Sequence, residues 1–181
     1  VLGLGRALAW PVLADARSGC RGPGAGEDGV VAAFDSLLRH AGFAGAHRPE
    51  VVVRLGAPPA SKVLAGWLGA ARAEQVMVDP WGAWPDPERT ASVVVRGDPT
   101  AACRALGADG VARPAPDGWL AGWARAEAAA QGTITSALDA AQGGGAGPPT
   151  EAGVARSITA ALGAGATLFV SSSMPVRDVE W

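Results

Sequence analysis

The sequence predicts an α/β fold, in which a Rossmann-like, doubly wound parallel sheet is followed by an incomplete second α/β unit. Three observations support this prediction. Short β-branched runs alternate with segments of helical periodicity over residues 1–142. A stretch rich in glycine and proline at residues 143–149 then interrupts the pattern. One more helix pattern and one more strand pattern follow over residues 150–181.

The elements of the first unit are predicted from apolar spacing and from helix-breaking residues. For example, Val31, Phe34 and Leu38 recur at helical spacing within residues 30–41, and Gly42 is well placed just after the end of that helix. The predicted order is a helix at 1–9, strand at 12–14, helix at 30–41, strand at 51–55, helix with Ala60 or Ser61 near its cap, strands at 75–78 and 92–95, helix at 100–106, and long helix at 117–142 with Gly132 as a candidate interruption.

The domain boundary is predicted at the glycine-rich stretch. Residues 1–142 are expected to form a Rossmann-like domain that lacks its first strand, and residues 143–149 a linker that sustains neither helix nor strand. Residues 150–181 are expected to contribute the first helix and strand, the latter at 167–170, of a second domain. Because the first residue is Val1, we expect an excised piece of a longer polypeptide.

Composition argues against several classes of function. The 15 Lys and Arg residues are scattered and are balanced by 17 Asp and Glu residues, so no phosphate-binding surface for nucleic acid is predicted. No apolar stretch approaches the ~20 residues of a membrane-spanning helix. The two cysteines cannot form a disulfide scaffold, and we expect a reducing, cytoplasmic setting.

The strongest chemical signal is the serine-rich segment that follows the last predicted strand. Hydroxyls and backbone N–H groups of Ser171, Ser172 and Ser173 can cradle a phosphate or carboxylate, and Arg177 offers a planar fork suited to a carboxylate. The alternative is that these serines cap the following helix while Arg177 pairs with a neighbouring acidic residue, Asp178 or Glu180.

A second candidate lies in the loop at residues 56–62, between a predicted strand and helix. It lacks the spacing of a nucleotide-binding P-loop, but Lys62 can present its ammonium to an anion at the helix N-terminus. The alternative is a solvated lysine. His40 and His47 have no interpretable catalytic partner and are assigned no role.

Three segments together resemble one enzyme family. They are residues 9–21, 54–62 and 168–178, and they follow one another in the family's order. The most specific is Ser-Ser-Met-Pro-Val-Arg-Asp at residues 172–178. Over nearly its whole length the chain resembles the 2-succinyl-5-enolpyruvyl-6-hydroxy-3-cyclohexene-1-carboxylate synthases of menaquinone biosynthesis, which are thiamine-diphosphate-dependent transferases.

This resemblance implies that the chain contains the central domain of such a synthase and the beginning of its C-terminal, diphosphate-binding domain. A synthase of this family decarboxylates 2-oxoglutarate and adds the succinyl carbanion to isochorismate. Its cofactors are thiamine diphosphate and Mg²⁺, and its subunits form a homodimer or homotetramer. Since the cofactor is the electron sink, the protein mainly supplies binding, orientation and electrostatics.

By motif, the resemblance implies that Lys62, Ser173 and Arg177 bind substrate, and that Ser172 and Ser173 contact the cofactor. No catalytic residue or metal ligand is expected here, because the chain has no Gly-Asp-Gly motif with a downstream asparagine. The chain alone is therefore expected to be inactive. The alternative function is a self-contained Rossmann-like module that binds a small anionic or aromatic regulator.

Overall fold

The structure is a computed structural model, and it describes residues 1–21, 29–108, 110–142, 147–163 and 165–180. Helices and strands alternate along most of the chain. The helices are α1 (Leu2–Leu8), α2 (Phe34–Arg39), α3 (Ala41–Ala46), α4 (Lys62–Ala70), α5 (Pro99–Leu106), α6 (Trp119–Ala141), α7 (Glu151–Ala161) and α8 (Met174–Asp178). The strands are β1 (Val12–Leu13), β2 (Val30–Val31), β3 (Val51–Leu55), β4 (Glu74–Val78) and β5 (Val93–Val95).

The described strands form two small parallel sheets. β1 pairs with β2, and Val12 lies opposite Val30. The other sheet has the order β3-β4-β5, with Val51 opposite Glu74 and Val76 opposite Val93. Parallel neighbours need a crossover connection, which α4 supplies between β3 and β4. The predicted α/β class with parallel strands is confirmed, although two sheets stand where the sequence predicted one.

The helix predicted at residues 30–41 is replaced by three elements. Val30 and Val31 form β2, because β-branched residues pair well with the equally apolar β1. α2 then ends before His40, whose extended backbone (φ −80°, ψ 107°) starts α3. The Nδ1 atom of His40 accepts a hydrogen bond from the N–H of Phe43, at 3.2 Å. Gly42 thus lies inside α3 and does not follow a helix end.

Two apolar clusters hold the described elements together. The larger joins β2, α2, α4 and α6 through fully buried Phe34 and Trp123, with Leu38 and Leu64 between them. The smaller packs α1 against α5 through Leu4, Leu8 and Cys103. Burying side chains of this size is the main favourable contribution to folding. The larger cluster includes Leu64, and Val63 packs against it, so it supports the first turn of α4, which begins at Lys62.

The long C-terminal helix of the first unit is continuous. α6 runs through Gly132 without a break. The interruption predicted at this glycine is therefore wrong. None of the helices in the described parts of the chain is long and apolar enough to cross a membrane.

The C-terminal segment departs from its predicted secondary structure. α7 begins as expected, where Thr150 Oγ1 accepts the N–H of Gly153 at 3.1 Å. The strand predicted at 167–170 is wrong, because no described strand pairs with these residues, and Phe169 is 96% exposed. A strand without a hydrogen-bonded neighbour has no ladder to stabilise it. Residues 143–146 of the predicted linker lie outside the described residues, and the domain boundary stays a prediction.

Candidate functional site

The loop after β3 places Lys62 at the N-terminus of α4. It begins at Gly56, whose φ of +82° suits a residue without a Cβ. It ends at buried Ser61, which caps α4 as predicted by accepting the N–H of Leu64 at 3.1 Å. The Ser61 hydroxyl donates to Asp35 Oδ1 at 2.5 Å. This pair of bonds fixes the start of α4, and Lys62 follows with an exposed side chain.

A cavity of about 160 Å³ opens beside this loop. It lies between the loop, α4 and the segment that follows β4. Sites for drug-sized ligands start at roughly 300 Å³, so a cavity of this size admits one carboxylate or phosphate group and not a whole ligand. Apolar side chains form half of its lining, and the polar half consists of Arg54, Ser61, Lys62, Gln75, Glu88 and Thr90.

The wall of this cavity is held by a buried ion pair that sequence reasoning missed. Arg54 Nη1 donates to Asp86 Oδ1 at 2.6 Å, with exposed side-chain fractions of 13% and 3%. Arg54 Nη2 also donates to the carbonyl of Pro85 at 3.1 Å. Thr90 completes the network by donating to Gln75 Oε1 at 3.0 Å. Arg54 is the one charged residue of β3, and this charge within a β-branched run was the signal from which the sequence could have indicated a buried ion pair.

The pKa of Asp86 is lowered by this environment. Burial disfavours the ionised carboxylate, but the N–H of Ala91 and the guanidinium of Arg54 donate to it and outweigh that effect. Asp86 is therefore ionised at neutral pH and keeps Arg54 engaged. Of the cations that line the cavity, Arg54 is committed to the protein itself, while Lys62 is exposed to an incoming anion.

The serine-rich segment leads into α8 and carries Arg177. Ser171, Ser172 and Ser173 are exposed, and Ser173 occupies the N-cap position without making a side-chain cap bond. The alternative in which this hydroxyl caps the helix is therefore not what the structure shows. Arg177 is exposed, and its Nη1 lies 4.0 Å from Met174 Sδ. Among the ion pairs described, none joins Arg177 to Asp178 or Glu180.

The two predicted groups of site residues occupy different parts of the described surface. Lys62 lines the cavity, whereas Ser172, Ser173 and Arg177 do not. Within the described residues, no group of three or more His, Cys, Asp or Glu side chains is arranged to hold a metal ion.

A turn after β1 contacts both groups. Arg17 forms a local ion pair with Asp15, at 2.6 Å, and also donates to the carbonyl of Pro58 at 2.6 Å. Arg21 instead reaches the chain just after α8. The sequence did not predict these longer-range bonds, because spacing along the chain does not show which loops meet.

The histidines take structural positions. His40 starts α3, and His47 stacks on Phe43 with ring centroids 3.9 Å apart. His47 also lies edge-on to Trp123, at 5.2 Å. Trp123 thus has a packing role in the core, whereas Trp81 is 85% exposed on the loop after β4.

Comparison with known proteins identifies relatives over nearly the whole chain. No family model matches. A 2-succinyl-5-enolpyruvyl-6-hydroxy-3-cyclohexene-1-carboxylate synthase of Myxococcus xanthus is 42% identical over 177 residues, which is 98% of this chain and 29% of that protein. This chain is related to a segment of these synthases. Enzymes with the same name from Halobacterium salinarum and Geobacillus thermodenitrificans are 39% and 36% identical over 94% and 98% of the chain.

The chain spans less than a third of the length of these synthases, namely 29%, 27% and 29% of the three proteins. The alignment to the Myxococcus xanthus synthase covers 98% of the chain, so it includes residues from both groups of the candidate site, namely Lys62, Ser172 and Ser173. The predicted resemblance to this family is confirmed.

Proposed function

We propose that this chain is part of a thiamine-diphosphate-dependent synthase of menaquinone biosynthesis that decarboxylates 2-oxoglutarate and transfers the succinyl group to isochorismate. The observation that carries the proposal is the 42% identity to a synthase of this name over 98% of the chain. The chain supplies binding residues, and the catalytic machinery belongs to the rest of the enzyme.

Lys62 and Arg177 are the groups we assign to substrate carboxylates. Both substrates are dicarboxylates, so two cations on separate loops can each take one carboxylate. Lys62 stands in the first turn of α4, where the helix dipole adds to its positive charge. The exposed Arg177 can donate two parallel hydrogen bonds to a carboxylate. Charges of fixed sign on separate loops orient the substrate as well as bind it.

Ser172 and Ser173 suit contacts to the diphosphate of the cofactor and to substrate. Both hydroxyls are exposed, and the missing cap bond leaves the Ser173 hydroxyl able to donate to a phosphate oxygen. When bound, thiamine diphosphate supplies the electron sink for decarboxylation. The ligands of Mg²⁺ are not among the residues we assign here, and we place them outside this chain.

The deciding experiment is steady-state kinetics of a full-length synthase that contains this chain. Arg177→Ala is expected to lower kcat/KM for 2-oxoglutarate or isochorismate about 100-fold, because one carboxylate loses its charged partner. Arg104→Ala, at an exposed position on α5, is the matched control and should leave kcat/KM unchanged. Near-normal kinetics of Arg177→Ala would remove this residue from the site.

One observation favours a second function. The cavity beside Lys62 is formed without any residue of the serine-rich segment, so it exists independently of the part of the proposed substrate site that carries Arg177. A module that binds a small anionic or aromatic regulator would use such a cavity to hold one acidic group of that regulator. In that case Lys62→Ala would weaken regulator binding and leave kcat/KM for both substrates unchanged.

A further inference from the structure

The turn after β1 connects the two loops that carry the candidate site residues. On one side, Arg17 Nη2 donates to the carbonyl of Pro58, four residues before Lys62. On the other side, Arg21 donates to two carbonyls, from Nη1 to Val179 at 3.3 Å and from Nη2 to Glu180 at 2.9 Å. These two bonds span 158 and 159 residues of chain. One short turn, residues 15–21, therefore contacts both loops.

The turn itself has a defined geometry. The N–H of Ser18 donates to the carbonyl of Asp15 at 2.9 Å, and the N–H of Arg21 donates to the carbonyl of Ser18 at 3.3 Å. Asp15 is held by Arg17 through the side chain and by the backbone N–H of Arg17, at 3.0 Å. Because these bonds define its path, the turn can hold the two arginines at a set separation.

The guanidinium of Arg21 is partly buried in a region that also contains three carboxylates. Glu180, Glu127 and Asp15 all attract it, and they oppose the effect of burial, which lowers the pKa of Arg21. Glu127 is itself fixed, because its Oε2 accepts the N–H of Ala33 at 2.9 Å. The Glu180 side chain is buried, with Oε1 lacking a hydrogen-bond partner among the described residues.

The contacts of Arg21 fall where α8 needs support. α8 has five residues, too few for a helix that is stable without tertiary contacts. Its preceding residues, 167–173, pair with no described strand, and most of their side chains are exposed. The bonds from Arg21 reach the residues immediately after its last residue, Asp178, and tie the end of the helix to the turn at residues 15–21.

We propose that Arg21 is a positioning residue, which sets the serine-rich segment and Arg177 relative to the Lys62 loop. Arg17 fixes the Lys62 side of the same arrangement. The anchoring of α8 is inferred from the hydrogen bonds of Arg21 alone. The effect of this anchoring on substrate binding rests on the function proposed above. Arg21 does not touch substrate or cofactor; it acts through the backbone of residues 179–180.

Two measurements test this proposal. The first is amide hydrogen exchange of residues 174–180, in the intact 181-residue chain and in the full-length synthase. Arg21→Gln removes the charge and most donors and should speed exchange of the Val179 and Glu180 amides about tenfold. Exchange in α6 should stay unchanged, which shows that the fold is intact. Arg104→Gln is the matched control.

The second measurement is the split between KM and kcat in the full-length synthase. If α8 is docked in only a tenth of the molecules, KM for the carboxylate substrate rises about tenfold and kcat changes little. Arg21→Lys should raise KM less than Arg21→Gln does, because the lysine ammonium can donate to one or both of the Val179 and Glu180 carbonyls. A purely structural role would lower the amount of folded enzyme and leave KM unchanged.

The outcomes separate this inference from the proposed function. Unchanged exchange at residues 174–180 in Arg21→Gln overturns the anchoring. Faster exchange with an unchanged KM, in a synthase that does use 2-oxoglutarate, overturns the positioning role. If the wild-type protein does not use 2-oxoglutarate at all, the proposed function fails, while faster exchange still supports Arg21 as the anchor of α8.

Discussion

At the scale of single residues, the Arg54 and Asp86 pair shows how a charge can be placed inside the sheet. A buried carboxylate is costly unless it is paired and hydrogen-bonded. Asp86 meets both conditions through Arg54 and the N–H of Ala91. The pair ties β3 to the segment after β4 and so maintains one wall of the cavity beside Lys62.

Asp86→Asn is expected to lower the free energy of unfolding at pH 7 by about 3 kcal/mol, because Arg54 is left buried without its anionic partner. The pKa of Asp86 is lowered in the folded chain, so its contribution is complete above the ordinary carboxyl value of 3.8 and is lost as the pH falls through the lower folded value. Urea unfolding of both proteins at several pH values checks this.

Asp117→Asn, at an exposed position before α6, provides the control and should change the free energy of unfolding by less than about 0.5 kcal/mol. Equal stability of Asp86→Asn and the wild type at pH 7 would show that the ion pair contributes nothing to the fold.

At the scale of elements, α6 illustrates why local sequence did not set the helix boundaries. Gly132 is unfavourable inside a helix because of its backbone freedom, yet α6 passes through it for 23 residues. Trp123 on this helix is buried against α2 and α4, and Glu127 binds the N–H of Ala33. Tertiary packing of one face therefore compensates for the weak position.

Gly132→Ala is expected to stabilise the chain by roughly 0.5–1 kcal/mol, since a Cβ at this site meets no atom within 4 Å. Gly5→Ala makes the contrasting variant in α1, because its Cβ would lie 2.9 Å from Val12 Cγ2 and 3.0 Å from the Trp10 carbonyl oxygen. Thermal unfolding distinguishes the two. A lower melting temperature for Gly132→Ala would mean that the glycine is needed for a break in α6.

At the scale of the whole molecule, the described chain joins its two sheets and its C-terminal segment through a few long-range contacts. Arg17 reaches Pro58, and Arg21 reaches Val179 and Glu180. α7 is tied to α6 where Arg156 donates to Thr135 Oγ1 at 2.8 Å. The exposed Phe169 and the serines after it remain uncovered by any described element.

The isolated 181-residue chain is expected to give no saturable heat of binding with 2-oxoglutarate, or with thiamine diphosphate and Mg²⁺. The physical reason is that Lys62 and Arg177 bind one carboxylate each, and exposed single charges give little net affinity in water. Isothermal titration calorimetry checks this, with the full-length synthase as the positive control. Saturable binding by the chain alone would favour the self-contained module.

Much of the architecture was predictable because its signals are local. The β-branched runs at β3, β4 and β5, and the Ser61 cap before Lys62, depend on neighbouring residues, and the structure confirms them. The wrong assignments, at residues 30–31 and 167–170, are short apolar runs, whereas the helix predicted at 30–41 is confirmed over Phe34–Arg39. In such runs helix and strand cannot be told apart by periodicity, and a strand forms only where a partner strand is present.

The sequence by itself determined the α/β class, the parallel strands, the family resemblance and the residue types that can bind carboxylates. Only the tertiary structure decided that Val30 and Val31 pair with β1, that Arg54 is neutralised by Asp86, and that one turn holds the two loops through Arg17 and Arg21. These features join residues that are distant in the chain, and their energies exist only when folding brings the partners within hydrogen-bond distance.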